Sequence, residues 1–332
     1  LAGAALPAPP VVVPQPLLTS VLLRPGSDVL GDQRVRTAVA AALDRPSLIA
    51  TGVASGPSAG LQADSQVLAP SQPGYRPTAP PTGPPVHPDS AVTHQLLTEA
   101  GYVRGPTGWE RAGRPLRLVV AAPVDREPYG VLAARVVDQL RSAGIQAELR
   151  PVEPDELFGS ALDSSGRPER VAPQPADRAP ASTAADVPGS DVPGSGTPGL
   201  DTSDLGAPDI AVVPQPAAGD PGTQLASWSG CPLVVPARLE QAPPNPAGLC
   251  DLSLQPLIEQ ALVGETWSGD GLIAPNLESA PNLESVLWER AVTIPLYQQA
   301  SLFVTTGAVR AVAPGSPLEG PFDGAERWQL RR

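Results

Sequence analysis

Proline decides where this chain can form regular structure. Each one removes a backbone donor and fixes φ, so the 45 prolines among 332 residues interrupt helices and central strands wherever they cluster. They cluster unevenly. Residues 54–90 are mostly Gly, Pro, Ser and Ala, which predicts an extended segment wrapped over a surface. Residues 163–207 are low-complexity with almost no large apolar side chain, and are expected to be a disordered insert. The GSGTPG within that insert has no preceding strand or following helix, so it is no phosphate loop.

Between these stretches the hydrophobic period alternates between strand and helix. LLTSVLL at 17–23 predicts a buried strand. Asp32 then caps a helix whose inward face is Val35, Val39, Ala42 and Leu43, with Arg34 and Arg36 at its solvated or carboxylate-paired margins. Pro46 begins a second short helix. Asp89 or Ser90 caps a third, which ends at Gly101. A hairpin turning at Ala112-Gly113 leads to a strand over 115–121. The next helix buries Val131, Leu132, Val136 and Leu140, and a strand, IQAELRPV, and a capped helix, EPDELFGSAL, follow. A strand at 209–214 resumes the pattern after the insert, then helices at DLSLQPLIEQAL and LESVLWERA and a strand kinked at Pro295. Strand and helix in this order predict an α/β fold, a mixed sheet flanked by helices.

Charge and composition exclude several functions. A net charge of −12, with arginine as the sole strong base, argues against nucleic acid as a partner. No apolar run reaches the roughly 18 residues of a membrane span, and LAGAALPAPPVVVPQPLL lacks the cationic start of a signal peptide. His87 and His94 stand in no pattern with Ser or Cys that suggests nucleophilic catalysis, so no catalytic residue is assigned. Glu153, Asp155 and Glu156 suit a helix N-terminus rather than acid–base work. Cys231 and Cys250 flank a Pro-rich loop without a second cysteine pair or nearby histidine. That argues against zinc and favours a local disulfide in an oxidising compartment. No metal or cofactor is implied. Of the dispersed tryptophans, Trp228 follows a strand end and a Gly/Pro/Asp-rich turn, where α/β folds place binding loops. The alternative for Trp228 is packing against the disulfide.

The order of residues carries further information. DQRVRTAVAAALDRPSLI, LLTEAGY…GW…GRPLRLVVAAP, AARVVDQLRSAGIQAELRPV, CDLSLQPLIEQAL and LWERAVTIPLYQ together resemble the C-terminal lobe of family 5 extracellular solute-binding proteins, the peptide-binding components of ABC importers. The resemblance covers roughly 17–330 apart from the insert. It implies a lobe of the type II periplasmic-binding-protein fold with a Pro/Ala-rich lead-in at 1–16, lobe segments at 17–162 and 208–305, and a tail at 306–332 that packs on an N-terminal lobe. The crossovers fall near 17–24 and 293–305. It implies a non-catalytic, extracytoplasmic monomer, held to the membrane by a lipid anchor upstream of residue 1.

APSQPGYRPTAPP, GCP…GLCDLSL, LWERAVTIPLYQ and DGAERW resemble an actinobacterial lipoprotein branch of that family, whose association is with phosphatidylinositol mannoside and lipoarabinomannan assembly. The ligand so implied is an envelope glycolipid, contacted by Pro214, Gln215, Asp220 and Trp228. The alternatives are an oligopeptide passed to an ABC permease, and a scaffold that contacts envelope biosynthetic enzymes without a small ligand.

Overall fold

A computed structural model of the chain describes residues 9–158, 207–217, 220–231, 245–262, 267–268, 271–272, 283–305, 309–310, 312 and 325–330. All but residue 207 of the insert expected at 163–207, the GSGTPG run within it and Arg331/Arg332 lie outside the described residues. In chain order the elements are β1 (Val11–Leu23), α1 (Gln33–Ala41), α2 (Arg45–Val53), α3 (Ser90–Glu99), β2 (Val103–Gly105), β3 (Gly108–Arg111), β4 (Arg114–Pro115), β5 (Arg117–Pro123) and α4 (Tyr129–Ser142). Then come β6 (Gln146–Val152), α5 (Pro154–Glu156), β7 (Ile210–Pro216), α6 (Pro221–Ser229), α7 (Gln255–Leu262), β8 (Trp267–Ser268), β9 (Gly271–Leu272), α8 (Leu283–Arg290), β10 (Thr293–Phe303), β11 (Val309–Arg310) and β12 (Gln329–Leu330).

The main sheet has the order β10-β1-β7-β5-β6. β5 pairs in parallel with both β6 and β7, while β1 runs antiparallel to β7 and β10. Its central strands are apolar on both faces, as a sheet covered by helices on both sides requires. One face carries Val21, Leu23, Val120, Ile210, Val212 and Ile294, packed with residues of α1 to α4. The other carries Leu22, Ala121, Ala211 and Val213, packed with residues of α6, α7 and α8. β1 starts earlier than the apolar run predicted, because Val11, Val12 and Val13 pair with Phe303, Leu302 and Ser301. Pro14 and Pro16 fit inside β1 because its register with β10 shifts between Pro14 and Leu18. The expected kink at Pro295 is a second shift, one residue on: Ser20 faces Pro295 and Thr19 faces Tyr297.

The caps follow the sequence. Asp32 accepts from the Arg34 amide at 2.9 Å, Asp44 from the Ser47 amide at 3.0 Å, and Asp89 from Ala91 and Val92. Ala112 and Gly113 both take positive φ (52° and 75°), the conformation of a two-residue hairpin turn. Residues 54–89 do wrap over the molecule. Gln62 bridges to Tyr297, the Ala63 amide donates to the Leu296 carbonyl at 3.1 Å, and the loop covers part of β10's outer edge.

Three expectations need correction. Val131 is 49% exposed, because the buried stripe of α4 is Tyr129, Leu132, Ala133, Val136, Val137 and Leu140, and Val131 falls outside it. Arg36 is buried rather than solvated: its guanidinium donates to the carbonyls of Leu30 (2.7 Å), Gly31 (3.1 Å) and Arg290 (3.3 Å). The helix expected from Glu153 opens as α5, but Glu153 makes no side-chain cap; its expected continuation over 159–162 lies outside the described residues.

Candidate functional site

Strand direction puts one edge of the sheet in a special position. β5, β6 and β7 end there, β1 enters there and β10 leaves there, and the crevice beyond the carboxyl ends of strands is where open α/β sheets bind ligands. Past this edge β1 and β10 continue as a two-stranded ribbon with Val11, Val12 and Leu302 each about half exposed.

Amides and hydroxyls dominate the ribbon's base. Gln298 is 1% exposed; its side chain donates to the Gln15 carbonyl at 2.9 Å and Ser71 Oγ at 2.7 Å, and accepts from the Ser71 amide at 2.9 Å. Gln15 donates to Ser301 Oγ at 2.9 Å. Gln299 donates to Thr19 Oγ1 at 3.2 Å and to the Tyr129 hydroxyl, whose pKa burial pushes up. Gln298 thereby ties the wrapping loop to both β1 and β10. None of Gln15, Tyr129, Gln298, Gln299 or Ser301 was singled out from the sequence. The usable signal was YQQAS inside a strand pattern, where alternation puts Gln299 and Ser301 on one side.

The predicted residues fall at three different depths. Gln215, near the end of β7, is 4% exposed and accepts from Ser20 Oγ at 2.9 Å. Pro214 faces Thr19 across the β1 pairing and points to the opposite side of the sheet. Asp220 is exposed and caps α6, accepting from the Thr223 amide at 2.7 Å and hydroxyl at 2.8 Å; those bonds hold its carboxyl below the usual range. Trp228 is 6% exposed in the core beneath α6. Gln215, Gln66, Gln224 and Trp228 do share a cavity between sheet and helix, but it measures about 10 Å³, roughly space for one water. Both polar ends of the Gln224 side chain are buried there without a hydrogen-bond partner among the described residues. The structure thus brings Gln215 and Trp228 together behind the edge, with Asp220 at its surface and Pro214 apart from them.

Cys231, two residues past the end of α6, is bonded to Cys250, so the helix is tied to the turn that leads into α7. Among the described residues no cluster of His, Cys, Asp and Glu could hold a metal ion, and no helix is long and apolar enough to cross a membrane.

Known proteins share this architecture. The family model described as bacterial extracellular solute-binding proteins, family 5 Middle, matches residues 7–187. The chain is 26% identical over 339 aligned residues to the "Probable monoacyl phosphatidylinositol tetramannoside-binding protein LpqW" of Mycobacterium tuberculosis, covering 94% of this chain and 52% of that protein. It therefore spans about half the length of the curated relatives it matches. The oligopeptide-binding protein AppA from Bacillus subtilis, solved with a nonapeptide, superimposes with a TM-score of 0.61 at 14% identity, over 98% of this chain and 52% of that one. NikZ from Campylobacter jejuni, solved with Ni(L-His), superimposes with a TM-score of 0.64 at 12% identity, over 97% and 53%. At these identities the two structures establish the fold: an α/β lobe of the type II periplasmic-binding-protein kind.

Proposed function

Because the chain belongs to family 5 of the bacterial extracellular solute-binding proteins, we propose that it is the ligand-capturing lobe of an extracytoplasmic, non-catalytic binding protein whose ligand is an envelope glycolipid of the phosphatidylinositol mannoside class. The observation that carries the ligand is the similarity to LpqW along 94% of the chain. The chemistry of the edge agrees with it. The ribbon offers neutral donors and acceptors, Gln15, Gln299 and Ser301, beside the half-exposed Val11, Val12 and Leu302, a combination suited to hydroxyl-rich headgroups next to acyl chains.

In this reading β1 and β10 cross to a second lobe, and closure about them buries the ligand against the ends of β5, β6 and β7. The tail after β10 packs on that lobe, a lipid anchor upstream holds the protein at the membrane, and its place is in phosphatidylinositol mannoside and lipoarabinomannan assembly. Oligopeptide capture for an ABC permease, and a scaffold that holds envelope enzymes, are the competing outcomes. Tryptophan fluorescence titration separates them. Saturable binding of a purified phosphatidylinositol mannoside, with no response to a nonapeptide pool, is expected. Peptide binding alone would move the protein to the importer class, and silence to both would favour the scaffold.

A further inference from the structure

We propose that a basic pocket at the starts of β5 and β6, on the sheet edge opposite the crossovers, binds the phosphate of a small polyol phosphate through Arg117 and Arg141. This site is separate from the glycolipid edge, and its test stands independently of that reading.

Charge is the first observation. Residues 101–150 contain eight arginines and five acids, a positive excess within a chain of net charge −12. Two of those arginines line one pocket of about 390 Å³, within the size range of small-molecule sites. Arg117 opens β5, is exposed, and makes no hydrogen bond or ion pair among the described residues. Arg141, in the last turn of α4, is held through Nε by the Ala147 carbonyl at 2.9 Å, which leaves its terminal nitrogens for a ligand. Two guanidiniums on one pocket are the usual means of recognising phosphate.

The walls are held rigidly. The turn between β2 and β3 lies directly on the turn between α4 and β6: the Trp109 amide donates to the Gly144 carbonyl at 3.0 Å, and Trp109 Nε1 to the Ala143 carbonyl at 3.1 Å. A Cβ on Gly108 (φ +128°) would meet the Gly144 carbonyl oxygen at 2.4 Å, so this approach needs glycine. Arg104 stacks on Trp109 and donates to the Ala143 carbonyl at 2.6 Å, which offsets the negative end of α4 that would otherwise repel an anion.

The rest of the lining selects the kind of anion. Gln146 stands directly across from Arg117, and Glu148 lies two residues on along the same face. Thr107 completes this side. Glu148 opposes a bare anion but accepts well from hydroxyls, and Thr107 and Gln146 can pair with hydroxyls as well. A phosphate on a polyol satisfies both halves of the pocket; inorganic phosphate satisfies one.

The full chain would be titrated calorimetrically with inositol 1-phosphate, inorganic phosphate and neutral inositol, and sedimented with phosphatidylcholine vesicles with and without phosphatidylinositol. Inositol 1-phosphate is expected to bind at least tenfold more tightly than inositol or inorganic phosphate. Arg117→Gln should weaken it at least tenfold, while Arg114→Gln, an equal charge change outside the pocket, leaves it within twofold. Sedimentation with phosphatidylinositol vesicles that Arg117→Gln abolishes and Arg114→Gln does not assigns the phosphate to a lipid headgroup, and Arg117-dependent binding only in solution assigns it to a free metabolite. The proposal is overturned if no phosphate binds at millimolar concentration, if inositol binds as tightly as its phosphate, if Arg117→Gln keeps wild-type affinity, or if both variants lose affinity equally.

Discussion

Two buried arginines explain the residue order of the first helices. Arg36 takes three backbone carbonyls, two before α1 and one at the end of α8. Arg45 donates to the Pro295 carbonyl at 2.7 Å, the Ala63 carbonyl at 2.6 Å and Asp64 at 2.9 Å, so it joins α2, the wrapping loop and β10. Burial, partly offset by Asp64, lowers its pKa, but an arginine stays charged throughout the ordinary pH range. Arg45→Ala should therefore destabilise the fold by about 3–5 kcal/mol, the usual cost of breaking a buried pair, measurable by urea unfolding. The Asp-Arg-Pro run was legible as a cap and a helix start. The burial of its arginine was not, since the decisive carbonyl lies 250 positions further along. Asp220 gives a smaller test. Asp220→Ala should cost about 1 kcal/mol as a lost N-cap. Its folded pKa is lowered, so the cap contributes fully above the unfolded value. That contribution should vanish as pH falls through the lowered pKa, where wild type and variant become equally stable.

At the scale of elements, α6 carries the strongest constraints. Gly222 lets it lie against the end of α7, where a Cβ would meet the Ala261 carbonyl at 2.3 Å. Gly222→Ala should cost about 1–3 kcal/mol through overpacking, visible as a lower melting temperature. The disulfide after α6 closes a loop of 19-residue separation and should contribute about 3 kcal/mol in the chain-entropy model. Unfolding of the Cys231→Ser/Cys250→Ser variant measures it. The helix itself went unread from DPGTQLASW, although Asp220-Pro221 is a regular helix start, because Pro and Gly in its first turn read as a loop. That error made Trp228 look like a loop residue near a ligand. As part of a helix it has a buried face, and the structure puts it there.

For the molecule as a whole, alternation of period was enough to read an α/β lobe, because strands covered on both faces carry uninterrupted apolar runs. Sheet order was not readable. Pairing β1 with β10 brings together residues almost 300 positions apart, and nothing local encodes that contact. The same pairing sets the site's geometry, since it puts the start of β1 and the end of β10 at the edge where β5, β6 and β7 end. Hence the end of β7 was legible from the strand-to-loop pattern, β1 and β10 beside it were foreseeable only by resemblance, and the Gln-rich ribbon was not foreseen. Native mass spectrometry of the protein purified gently from its own envelope tests the central claim most directly. A bound mass matching an acylated, mannosylated inositol lipid, released when the protein unfolds, is the predicted result. A ladder of short peptide masses in its place would contradict the account.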